Sequence, residues 1–244
     1  MKMKQSGVSL LEIMMGLVLT SFTIAMLLHN HEMIKKHYLL TQKTLEKSSE
    51  LQTVARLIRT SVQQAGFTPC LNMNHLIVVD HRYGYSKLPA LTVENSSVLK
   101  TNRMSSDFVE VQVLNENHLE IDAPLPNREQ TLLIADCYHA ETTLIQSTHQ
   151  NGLKETIFLK NPLMFHYSPP IYIGALEQNI YFIKPDQSGH GRLFFQASEA
   201  EELTPWVQAM QIKLSHLSKG TLLDVHLQLM DDQEMEVAAM VRTL

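Results

Sequence analysis

Residues 6–28 read SGVSLLEIMMGLVLTSFTIAMLL, and this stretch sets the terms for the rest of the chain. Ser6 and Gly7 end a short leader that carries Lys2 and Lys4. From Val8 to Leu28 the sequence is apolar apart from one ionisable group, Glu12. At about 1.5 Å per residue such a run makes a helix roughly 32 Å long, enough for a hydrocarbon core of about 30 Å. A carboxylate near one end of a membrane helix costs on the order of a few kcal/mol and marks a paired or functional position.

Three readings fit the run. A secretory signal peptide carries a shorter apolar region and a small-residue cleavage site, and none follows Leu27-Leu28-His29-Asn30. A plain signal anchor leaves Glu12 idle near the headgroups. The third reading rests on resemblance. Gly7-Val8-Ser9-Leu10-Leu11-Glu12 resembles the class III leader junction of type IV pilins and type II secretion pseudopilins. The resemblance implies a prepilin peptidase that cuts between Gly7 and Val8, N-methylation of Val8, and an assembly role for Glu12 at the fifth mature position. Phe is the family's usual first mature residue, and Val8 departs from it. It also implies localisation in the inner (cytoplasmic) membrane as a single-pass protein, with the C-terminal domain in the periplasm.

The leader, residues 1–7, is basic, which favours the cytoplasmic side, although Lys35 and Lys36 on the far side compete. After the membrane half, residues 8–28, the helical pattern continues over residues 29–66. Ile34, Tyr38, Leu45, Leu51, Ala55, Ile58, Val62 and Ala65 recur mostly at steps of three, four or seven. Gly66 is a natural residue to follow a helix, and Pro69 forbids its continuation. The spacing predicts one helix of about 57 residues whose second apolar stripe packs on the rest of the chain.

With 244 residues, the chain has room for an anchor and one fair-sized domain. Apolar residues make up 44 % and charged residues 18 %, which excludes a disordered chain. A net charge of −5 gives no electrostatic reason to expect direct nucleic-acid binding. Cys70 and Cys137 are the two cysteines. In a cytosolic chain they read as buried thiols; beyond the membrane they lie in an oxidising compartment and pair. A bond closing a loop of about 67 residues adds roughly 4 kcal/mol by chain entropy.

Beyond Cys70 the period falls to two. Leu76–Val79, Asp107–Leu114, His118–Ile121, Thr131–Cys137, Thr142–Gln146 and Glu155–Leu159 read as strands, while His81 to Asn102 reads as loop. Ile171–Ile183 and Arg192–Gln196 flank a Gly-containing turn, and a further β segment begins at Thr204. Leu223, Val225, Leu227 and Leu229 alternate with polar residues, then return through Asp231-Asp232-Gln233 as Met235–Val241. The predicted class is α+β: a long N-terminal helix packed on an antiparallel sheet spanning residues 67–244.

Two further stretches carry resemblance. Ala65-Gly66-Phe67 followed by Cys70 is similar to the helix-to-globule junction of PilW-like minor pilins, and "SDFVEVQV" followed by "TLLIADC" is similar to their sheet. A PilW-type minor pilin is a non-catalytic subunit that primes or joins a type IV pilus. Its partners are other minor and major pilins, the prepilin peptidase, inner-membrane lipid and the pilus assembly machinery. A J-type pseudopilin of a type II secretion system shares the same features. A membrane-anchored periplasmic binding or enzymatic domain is the alternative of a different class.

The sequence offers no local sign of chemistry. His29 and His31 stand two apart, so their rings diverge on a helix, and no metal-ligand spacing is present. No nucleophile-elbow motif occurs, and Asp231-Asp232, Glu199, Glu201 and Glu202 read as solvated turns or faces. No catalytic residue, metal site or cofactor is expected.

Overall fold

A computed structural model describes residues 10–122, 125, 130–151, 154–217 and 220–241. Its single long helix, α1 (Leu10–Gln63), runs without a break through the predicted membrane and amphipathic halves. The chain divides into two compact units, residues 1–50 and 51–244.

In the first unit the helix is exposed and apolar. It contains an 18-residue window of mean hydropathy 2.0, long and apolar enough to cross a membrane. The predicted stripe is exposed here too, with Ile34, Tyr38 and Leu45 each about two-thirds accessible. This corrects the expectation that the chain itself covers the whole stripe. Burial of the stripe begins at Leu51, and periodicity alone carries no information on what covers an apolar face.

In the second unit Leu51, Val54, Ile58 and Val62 are buried, one helix face at steps of three and four. At roughly 1.5–3 kcal/mol for each fully buried aliphatic side chain, this face anchors the end of α1 in the domain. The turn that follows Gln63 ends at Gly66, where φ is +74°. Gly66 N donates to Asn102 O at 2.7 Å, and Met73 N donates to Gly66 O at 2.7 Å. Asn72 Nδ2 meanwhile donates to Ala65 O at 2.8 Å. A Cβ at Gly66 would lie 2.5 Å from Asn72 Oδ1 and 2.6 Å from Ala90 Cβ, so both backbone and space require glycine.

Among the described residues sixteen strands follow. The first eight are β1 (Ile77–Asp80), β2 (Ser86–Lys87), β3 (Leu91–Glu94), β4 (Val98–Met104), β5 (Val109–Asn115), β6 (His118–Ile121), β7 (Leu132–Ala135) and β8 (His139–Thr143). Then come β9 (Ile145–Asn151), β10 (Lys154–Leu159), β11 (Ile171–Pro185), β12 (Gly191–Gln196), β13 (Ala200–Thr204), β14 (Val207–Leu217), β15 (Gly220–Leu229) and β16 (Glu234–Met240). The architecture is α+β, and among the described residues every strand pair is antiparallel except the parallel pair β1–β8.

The 15-residue β11 is the shared member of a thirteen-stranded sheet. Its first part pairs with β5 and β7, and its later part with β4 and β12. Strands β14, β15 and β16 form a separate sheet whose inward residues Ile212, Val225, Leu227 and Val237 share one core with the buried face of α1.

Two sequence expectations are corrected here. His81 to Asn102 is not a loop: it holds β2, β3 and most of β4, joined by a turn in which Asn95 and Ser96 have positive φ. The segment expected to begin as β at Thr204 is two strands, since β13 ends at Thr204 and Pro205-Trp206 turn the chain into β14.

Candidate functional site

Gly7 and Val8, the expected processing junction, lie outside the described residues. Glu12 lies within them, in the first turn of the described part of α1, with its neighbours Leu11 and Ile13 exposed.

Cys70 and Cys137 are joined by a disulfide, with Cα atoms 5.2 Å apart. The bond ties the segment that leaves α1 to the turn between β7 and β8. Ile77 N donates to Tyr138 O at 2.9 Å beside it, so the same turn is also stitched to the start of β1.

The turn leads into a buried polar cluster that strand patterning did not reveal. Asp136 closes β7, and its Oδ1 accepts from Tyr138 N at 2.7 Å and His139 N at 2.6 Å. Its Oδ2 accepts from Ser168 N at 2.9 Å. Burial works to raise this carboxyl, but the backbone donors of Ser168, His139 and Tyr138 outweigh it and hold Asp136 below the usual carboxylate range.

Glu141, on β8, is fully buried. It accepts from Met164 N at 3.0 Å and from the Tyr167 hydroxyl at 2.7 Å. His81 Nε2 lies 2.6 Å from Glu141 Oε2 without hydrogen-bond alignment, a close polar contact rather than a directed bond. Burial, with Glu141 next to it, pushes the Tyr167 phenol far above its ordinary value, so Tyr167 keeps its proton and serves as a donor. Asp80 completes the cluster: Arg82 grips it through Nε and Nη2, and Thr142 Oγ1 donates to it at 2.9 Å. Burial again opposes ionisation, and Arg82 and Thr142 overcome it, so Asp80 also sits below the usual range.

The arrangement is a clasp. Two buried carboxylates from β7 and β8 fix the irregular segment 160–170 by its backbone N–H groups and Tyr167. His139 stacks on Phe165 at 4.6 Å on the same side. The one signal for this cluster in the sequence was Asp136 at the end of the apolar run Leu132-Leu133-Ile134-Ala135. Among the described residues no group of three or more His, Cys, Asp or Glu is placed to hold a metal ion.

Two open grooves of about 680 and 700 Å³ mark the surface of the domain. The first runs between the end of α1 and β11; the second lies between the β5–β6 turn and the segment 162–167. No protein-family model, curated protein or solved structure matches the chain.

Proposed function

We propose that the chain is a minor pilin of PilW type, a non-catalytic subunit that primes or joins a type IV pilus. The observation that carries this reading is α1: an exposed apolar helix with a carboxylate at Glu12 in its first described turn. Its far end is built into a disulfide-tied β domain. The leader-like residues Gly7-Val8-Ser9-Leu10-Leu11-Glu12 give the helix its processing junction.

In this reading the helix enters the inner membrane, and the prepilin peptidase frees an amine at Val8. Subunits then stack their helices, and Glu12 pairs with the Val8 amine of a neighbour. Two charges that are each costly in hydrocarbon become one pair when subunits come into register, so charge pairing sets the stagger between helices.

Intact mass of the chain extracted from its native membranes tests the reading. The expected species begins at Val8 and is one methyl group heavier than the unmodified residue sequence. A chain that keeps Met1–Gly7 in a membrane with an active prepilin peptidase would sink the proposal.

A further inference from the structure

Among the described residues, strand β11 has a gap in its hydrogen-bonded edge, and the backbone of Gln178 faces it. Gln178 lies opposite Asn102 of β4. Both backbone groups of Asn102 point away from β11: its N–H donates to Ala90 O at 2.9 Å, and its carbonyl accepts from Gly66 N at 2.7 Å. Opposed residues in an antiparallel ladder either bond to each other or both turn outward. The N–H and C=O of Gln178 therefore point to the other edge of β11.

On that edge one neighbour ends before Gln178 and the next begins after it. β7 pairs with β11 as far as Ala175, and Leu176 N donates to Thr131 O at 2.8 Å; the chain then bends at Gln130. β12 takes up the pairing at Ile180 opposite Gln196 and bends away at Ala197 and Ser198. Among the described residues no strand pairs with this edge between those two points. The gap opens into the groove of about 680 Å³, whose far wall is the α1 face of Leu57, Thr60, Ser61 and Gln64.

The charges in the groove are already matched. Arg82 is held by Asp80 at 2.9 Å and Arg103 by Glu177 at 2.6 Å. What the groove offers a ligand is one strand-edge N–H and C=O pair, flanked by the amide and hydroxyl side chains of Gln130, Asn179 and Ser198. A peptide main chain presents a donor and an acceptor at the same strand spacing and so matches that pair.

We propose that this slot binds an extended, uncharged segment of another polypeptide, about four residues long, by completing the interrupted edge of β11 at Gln178. The slot is independent of the filament reading, because all its residues belong to the domain that follows Leu51.

The test uses the full chain in a detergent without a sugar head group and a fluorescein-labelled, amide-capped Ser-Val-Thr-Val-Ser peptide. Fluorescence polarisation should show saturable binding. The same peptide N-methylated at alternate residues should bind at least about tenfold more weakly, since each lost main-chain bond removes that order of affinity. Gln178→Pro removes the outward N–H, together with the side-chain bond from Gln178 Nε2 to Asn102 Oδ1 at 2.9 Å, and should weaken binding by about the same factor, while Gln178→Ala, which loses only the side-chain bond, should bind as the parent does. Ser198→Trp, which fills the groove from its rim, should abolish binding and guards against a misfolded proline variant. Absence of saturable binding, equal binding of the N-methylated peptide, or displacement by maltohexaose would each overturn the proposal. So would slow hydrogen exchange at the Gln178 amide before peptide is added, because the chain's own residues would then close the slot.

Discussion

The Tyr167 hydroxyl donates to Glu141 Oε1 at 2.7 Å, joining the segment before β11 to the buried face of β8. Glu141 is fully buried, so each of its donors offsets part of a desolvation penalty that no water relieves. Removing one donor leaves an acceptor short in a dry place. Tyr167→Phe should therefore destabilise the domain by about 1–3 kcal/mol, with little change in packed volume. Urea unfolding of the two proteins in micelles measures this, and the Met164 amide should exchange faster in the variant. An unchanged midpoint would mean that Glu141 does not depend on Tyr167.

The same clasp carries an acid sensitivity. Asp136 and Asp80 both sit below the ordinary carboxylate range because hydrogen bonds to their charged forms outweigh burial. A carboxyl with a depressed folded-state value contributes its stability fully above the unfolded value, near pH 4. That contribution is lost as pH falls through the lower folded value. The domain should hold its stability from neutrality down to about pH 5 and lose it progressively below about pH 4. Asp136→Asn should be less stable than the parent at pH 7, and the difference between them should shrink on acidification. Thermal unfolding across pH 3–7 reads both effects; a gap that widens toward low pH contradicts the sign.

Cys70 and Cys137 close a loop of 67 residues between the exit of α1 and the β7–β8 turn. On the loop-entropy estimate, Cys70→Ser with Cys137→Ser should cost about 2–4 kcal/mol. Comparing denaturant midpoints of the oxidised parent and the double variant gives the number. Alkylation under non-reducing conditions of protein taken from its membrane side of residence should label neither cysteine.

What the sequence made legible follows the places where one face is wet and the other dry. Leu223, Val225, Leu227 and Leu229 are all buried, with exposed His226 and Gln228 between them, so β15 was readable from alternation alone. β4 was not, because its buried residues mix apolar Leu99 and Met104 with polar Thr101 and Asn102, and Asn102 Nδ2 donates to Pro89 O at 2.8 Å. A strand that buries hydroxyls and amides beside its apolar residues breaks the alternation on which a hydrophobic pattern depends. The clasp was hidden for the same reason, since Glu141 occupies a core position on β8. The stripe from Ile34 to Leu45 fits the helical period, yet its exposure shows that period and partner are separate questions. The slot at Gln178 depends on a register with Asn102, 76 residues away, which no local window contains.

Glu12 separates the filament proposal from a passive anchor. It is the single acidic residue in the first turn of the described helix, followed by the exposed apolar run that ends near Leu28. In a passive anchor the carboxylate contributes nothing, and Glu12→Leu extends the apolar run. Insertion should then improve by roughly 2–3 kcal/mol, and every downstream behaviour should stay as before. In the filament reading the same substitution also helps insertion, but it leaves the Val8 amine of a neighbouring subunit without its counter-charge in a low-dielectric place. Breaking one side of such a pair opposes association by several kcal/mol, more than the improved insertion returns to the assembled state. The expected result is a chain present in the membrane at parental levels or above, correctly processed, that no longer co-purifies with other pilins. Glu12→Asp keeps the charge on a shorter stem and should recover part of the association, which a purely steric effect of leucine would not predict. Membrane abundance and co-purification must be measured on the same preparations, because only their divergence distinguishes a lost pairing from a lost protein. If Glu12→Leu assembles as the parent does, the carboxylate has no part in register, and the pairing mechanism falls with it.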